Sequence, residues 1–82
     1  MSRNDIFTAL KSNMEKIIDG IEDQEIQEEN SMVNDFGADS LEVVEVISRT
    51  QKQLKIKVPR TELSQVSDIK GLLDLFEKAA AK

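Results

Sequence analysis

Three stretches of this chain space their apolar residues at steps of three and four. That spacing, more than anything else in the sequence, restricts the folds open to it. In the first stretch Ile6, Phe7, Leu10, Met14, Ile17 and Ile18 share one stripe, with Lys11, Glu15 and Lys16 outside it. In the second, placing residues at about 100° per step gathers Val43, Val46, Ile47, Thr50 and Leu54 on one side. In the third, Ile69, Leu72, Leu73 and Phe76 line up and Leu75 widens the stripe. Each pattern is that of a helix with one buried face. At 82 residues the chain has room for one thin core and one domain. The expected fold is therefore all-α: a four-helix bundle of three long helices and one short, forming a single domain over residues 1–82.

The local signals place the elements. Ser2 or Asn4 can cap a first helix over about residues 4–18, and Gly20 is a plausible stop. A second helix is expected over 40–54. Residues 55–58 alternate polar and apolar, but Pro59 follows, and so short a strand would lack a partner. They read as an extended connector. Pro59 then opens a short helical turn over 60–63. Ser67 is expected to cap the last helix, with Asp68 in its first turn. Gly71 costs that helix roughly 1 kcal/mol relative to alanine, which a close helix–helix contact would explain. Residues 79–82 are expected to fray.

Between the first two helices, residues 19–38 keep no period and carry Asp19, Glu22, Asp23, Glu25, Glu28, Glu29 and Asp35. A connection of that length is unusual in a compact domain unless it is functional or held to the core. Ile21, Ile26, Met32, Val33 and Phe36 are its expected anchors, and most of its carboxylates are expected in solvent. Their spacing does not match a calcium loop.

The loop gives way abruptly to helix at Gly37-Ala38-Asp39-Ser40-Leu41-Glu42. Two compatible readings apply. In one, Asp39 is an N-cap and Glu42, three residues on, closes a capping box. In the other, Ser40 is a hydroxyl displayed at the positive end of a helix, where a covalently attached phosphate sits comfortably. Leu41 and Val44 lie on the side away from the core. They are either ordinary exposed side chains or a small apolar spot, rimmed by Glu42 and Glu45, for a partner protein. Glu45 and Arg49 form an i,i+4 pair in the favourable order.

Composition removes several functions. The chain has no cysteine, histidine, tryptophan or tyrosine. Disulfides and thiolate chemistry are excluded, and Ser40 has no imidazole to activate it. No catalytic residue and no metal site is expected. The N-terminal residues lead into no apolar signal region, and no apolar run is long enough to span a bilayer. A cytoplasmic monomer without membrane contact is expected. A net charge of -5 argues against nucleic acid as a partner. Residues 1–45 hold 3 basic and 12 acidic side chains, and residues 46–82 hold 8 basic and 4 acidic. The sign changes within the second helix.

On Gly37-Ala38-Asp39-Ser40-Leu41, followed by Glu42 and Val44-Glu45 and preceded by Asn34-Asp35-Phe36, the chain resembles the acyl carrier proteins. The resemblance covers nearly its whole length. It implies a covalent 4′-phosphopantetheine on Ser40, added from coenzyme A by a phosphopantetheinyl transferase, whose thiol carries acyl groups as thioesters. Asp39 would help present Ser40 to that transferase. Asp39, Leu41, Glu42, Val44, Glu45 and Arg49 would meet partner enzymes, and the apolar helix faces would line a deformable cleft for the cargo. Carriers of fatty-acid synthesis usually stay acidic to the end of the second helix and beyond. Here those stretches carry Arg49, Lys52, Lys55, Lys57 and Arg60. Residues 54–63 look more like discrete carriers of polyketide pathways, including those that hand acetyl to a synthase related to hydroxymethylglutaryl-CoA synthase. Other expected partners are acyltransferases and ketosynthases. The alternatives are a fatty-acid synthesis carrier, a peptidyl carrier, or an unmodified helical interaction module.

Overall fold

The described residues form helices α1 (Arg3–Ile17), α2 (Ser40–Leu54), α3 (Arg60–Leu63) and α4 (Ile69–Ala80), with no strand among them. The computed structural model describes all residues except Met1, Glu22, Ser64, Gln65, Ser67 and Lys82. The all-α architecture and the bounds of α2 and α3 match the expectation from spacing and caps. At α1, Ser2 rather than Asn4 is the cap. Its hydroxyl accepts from the Asp5 N–H at 3.2 Å, and the Asp5 carboxylate accepts from the Ser2 N–H at 3.4 Å. The helix ends at Ile17, where Ile18 turns extended to reach the core, and Gly20 follows in the turn with φ +80°.

Two details at α4 differ from the expectation. Its N-cap is Asp68, which accepts from the Gly71 N–H at 2.8 Å; the expected cap, Ser67, lies outside the described residues. The atoms nearest to Gly71 belong to the segment that enters α4, not to a neighbouring helix. A Cβ there would meet Val66 Cγ1 at 3.0 Å and Asp68 Oδ1 at 3.1 Å, so glycine makes room for the segment that enters the helix. The helix also persists through Ala80, beyond the expected fraying point, because Ala79 packs against the core; of the residues expected to fray, Lys82 lies outside the described set.

The bundle is built around α1, which packs against both α2 and α4, while α3 packs on α4. Among the described residues, no Cα of α2 lies within 8 Å of a Cα of α4. The expected stripes are the buried ones: Ile6, Leu10 and Met14 of α1, Val46 and Ile47 of α2, and Ile69, Leu73 and Phe76 of α4. Val43 and Leu54, at the margins of the α2 stripe, are half-buried. A polar contact joins α1 to α2 inside this core. The buried Asn13 donates to Thr50 Oγ1 at 3.0 Å and to Gln53 Oε1 at 3.2 Å, and Thr50 donates to the Val46 carbonyl at 2.8 Å. Both buried side chains are thereby satisfied.

The long first connection is held down at both ends of its course. Ile21 and Met32 are buried, and Ile26 and Phe36 are partly so, as expected. Val33 is not an anchor: it is 53% exposed. Residues 31–36 coil into a turn, with the Asp35 N–H donating to the Ser31 carbonyl at 2.9 Å. Consecutive side chains on such a turn face different directions, so burying Met32 turns Val33 outward. Ala38, at 3% exposure, takes over as the last anchor before α2. The loop also satisfies the start of α4, since the carbonyls of Glu28 and Asn30 accept from the N–H groups of Lys70 (2.8 Å) and Ile69 (2.9 Å). Across this junction Arg3 binds Glu28 at 2.7 Å, Asp74 at 2.8 Å and Glu77. These contacts explain how a stretch without helical period keeps a definite path.

Candidate functional site

Ser40 is the first residue of α2 and is exposed. The backbone that delivers it is constrained on both sides. Gly37 turns at φ +71°, a conformation that suits glycine. The buried Ala38 then donates its N–H to the Met32 carbonyl at 2.9 Å. Asp39 stays extended and caps the helix. Its Oδ1 accepts from the Glu42 N–H at 2.8 Å, and Glu42 Oε1 accepts from the Asp39 N–H at 3.0 Å. The capping box expected from the sequence is therefore formed, and it flanks Ser40 without using the serine side chain. Ser40 is exposed on a backbone fixed on either side by these contacts.

The other residues singled out by sequence divide into three pairs. Asp39 and Glu42 each commit one carboxylate oxygen to the cap. Leu41, at 79% exposure, and Val44, at 59%, are exposed apolar side chains beside Ser40. Glu45 and Arg49 lie next to them, both exposed, and make the expected pair at 3.6 Å. Spacing alone does not show that Val33 adds to the exposed apolar surface. That depends on Met32 occupying the core in its place.

Two apolar clefts open beside α2. One, of about 280 Å³, lies between α2, the 31–34 turn and α4, lined chiefly by Met32, Val33, Val43, Ile47, Ile69 and Leu72. The second, of about 580 Å³, lies between α2, the 57–60 connector and α3, lined by Val43, Val44, Ile47, Val58, Pro59 and Leu63 with Lys57 and Arg60. Val43, one turn beyond Ser40, belongs to both. A chain anchored on the Ser40 oxygen thus starts next to apolar walls.

What such a site can do chemically is limited by the residues around it. No imidazole exists in the chain to deprotonate the serine, and among the described residues no group of metal-binding side chains comes together. The hydroxyl is suited to being modified by another enzyme, and a phosphate joined to it lies at the positive end of α2. Among the described residues no helix is long and apolar enough to cross a membrane.

Comparisons with known proteins bear on this site. The family described as phosphopantetheine attachment site matches residues 15–76. An acyl carrier protein of Thermotoga maritima is 29% identical over 77 residues, which span 94% of each chain. Among solved structures, the acetyl donor-ACP in the crystal structure of the curacin biosynthetic pathway HMG synthase complex matches with a TM-score of 0.83. The identity is 30%, over 98% of this chain and 99% of that one.

Proposed function

The chain belongs to the phosphopantetheine attachment-site family and is an acyl carrier protein rather than an enzyme, and from that premise we propose that Ser40 bears its covalent 4′-phosphopantetheine. The arm supplies the thiol that this cysteine-free chain lacks, and acyl groups ride on that thiol as thioesters. One observation carries the assignment of the residue: Ser40 is an exposed hydroxyl on the first residue of α2, held between Ala38 in the core and the Asp39–Glu42 capping box. The residues present fit the group. Its phosphate would lie at a helix N-terminus, and its apolar cargo would lie beside Val43 and the cleft between α2 and α4.

On this reading residues 1–82 form one carrier domain that works as a monomer in the cytoplasm. Its surface around Leu41, Val44, Glu45 and Arg49 meets a phosphopantetheinyl transferase and acyl-transferring enzymes in turn. Contacts of this kind are mostly electrostatic steering and register, so they are weak and salt-sensitive, which suits a shuttle. We place the carrier in a polyketide-type pathway, as a donor delivering acetyl to a synthase of the hydroxymethylglutaryl-CoA synthase kind. The likeness to an acetyl donor-ACP along nearly the whole chain supports this. So does the change of charge sign along α2, from Glu42 and Glu45 to Arg49 and Lys52.

Two measurements test the proposal. Incubation with coenzyme A and a broad-specificity transferase should add one phosphopantetheine to the wild type and none to Ser40→Ala, as read by intact-protein mass. Addition to Ser40→Ala would refute the assignment of Ser40. The acetyl-loaded protein should then donate acetyl to a synthase of the stated kind, and failure to do so alongside ready use by fatty-acid ketosynthases would refute the pathway.

A further inference from the structure

The clefts beside α2 differ in charge. The one facing α4 has Asn34 and Asp68 at its edge. The one facing α3 has Lys57 and Arg60. Lys57 is turned outward because Ile56 and Val58, on either side of it, are buried. Arg60 is exposed at the start of α3. Among the described residues neither cation has an acidic partner. Acids on the two flanking helices are committed elsewhere: Glu62 to Lys78 at 3.4 Å and Glu45 to Arg49 at 3.6 Å. The molecule therefore presents an apolar recess of about 580 Å³ with two uncompensated cations at its margin. At the other end of α2 the charge has the opposite sign, with Asp39, Glu42 and Glu45 around Ser40.

We propose that the cleft between α2 and α3 is a docking site for a partner protein whose contacting element carries an aliphatic or aromatic side chain flanked by aspartate or glutamate. The apolar side chain enters between Val44 and Leu63. The flanking carboxylates meet Lys57 and Arg60, the latter able to bind a carboxylate through two parallel N–H groups. This deepens the reading of the chain as a carrier, on which it rests for the existence of partners. A partner that touches both ends of α2 must offer basic groups toward Ser40 and acidic groups toward α3. One orientation satisfies both signs, and a uniformly basic partner surface is repelled at Lys57 and Arg60.

The test is a selection from a random peptide library against the immobilised, phosphopantetheine-bearing protein. The expected winners place Asp or Glu close to a large apolar residue. They shift the amide resonances of Val44, Ser48 and Arg60, and they bind the double variant Lys57→Glu/Arg60→Glu about tenfold more weakly or worse. Lys57→Gln/Arg60→Gln, which removes the charges without reversing them, should lie between. Both cations are exposed, so the variants fold, and an unchanged circular dichroism spectrum checks this. Winners rich in Lys or Arg, winners without charge bias, or winners bound equally by the double variant would overturn the proposal. So would displacement of the peptides when an octanoyl group replaces acetyl on the arm, since cargo would then own the cleft. Failure of Ser40 to accept the arm would be a separate result, because the same selection can be run on the bare protein.

Discussion

Lys55 ends α2 in the left-handed region, at φ 58° and ψ 38°, where a side chain crowds the backbone. The turn is needed because Ile56 must fold back, donating its N–H to the Gln51 carbonyl at 3.1 Å, while the Val58 N–H reaches Gln51 Oε1 at 2.9 Å. Lys55→Gly should raise the stability by about 1 kcal/mol, read as a higher midpoint of urea unfolding. Asp39 has a different weight from the one a recognition residue would have, because it also caps α2. Asp39→Ala should cost about 1 kcal/mol of stability, whatever it does to partner binding. Asp39→Asn keeps a good cap and removes the charge. Its unfolding midpoint should stay close to wild type, so any fall in its rate of phosphopantetheine transfer reports the carboxylate itself.

At the level of elements, Arg3 ties the start of α1 to the long loop and to α4. The guanidinium hydrogen-bonded to Glu28 holds that carboxyl below its ordinary value of 4.5, and the three acids together raise the Arg3 pKa. A lowered carboxyl pKa stabilises the fold above the ordinary value, and that contribution is lost as pH falls through the lowered one. Arg3, with a raised pKa, stays charged throughout that range. The stability difference between wild type and Glu28→Gln should therefore be present at neutral pH, begin to decline as pH falls below the ordinary value of 4.5, and vanish only below the lowered one. Asp74 and Glu77, at 60% and 42% side-chain exposure, should contribute less and be screened by salt. A second element-level prediction concerns Gly71. Alanine is the better helix former, yet its Cβ would press on Val66 and on the capping oxygen of Asp68, which cannot retreat without loosening the cap. Gly71→Ala should lower the thermal midpoint rather than raise it.

For the molecule as a whole, the arrangement of helices matters more than any single contact. α1 packs against α2 and α4 separately, and the smaller cleft lies between those two helices. Charge is distributed on the same scale, acidic at the Ser40 end and basic beyond Arg49. If the basic half turns away fatty-acid enzymes, then Arg49→Glu/Lys52→Glu should improve acyl loading by them, measured as kcat/KM at low salt. No change would show that selection lies elsewhere. Because Arg49 is exposed and its pair with Glu45 is worth little, the variant should keep its stability.

Much of this molecule is legible in the order of its residues, because helical period, caps and turn glycines act over a few neighbouring positions. The bounds of α2, the box of Asp39 and Glu42 and the exposure of Leu41 and Val44 all follow from that local chemistry. Ser40 at the opening of α2 follows from it as well. The path of the loop does not. Whether Val33 or Ala38 anchors it depends on which side of the 31–36 turn meets the core, and Arg3 finds its acids 25, 71 and 74 residues away. The clefts are likewise a property of assembly, since one opens between α2 and α4, each packed on α1, and the other between α2, the 57–60 connector and α3. Spacing along a chain encodes which face of a helix is apolar; it does not encode how far apart two such faces come to rest, and that separation is what leaves a cleft open beside α2.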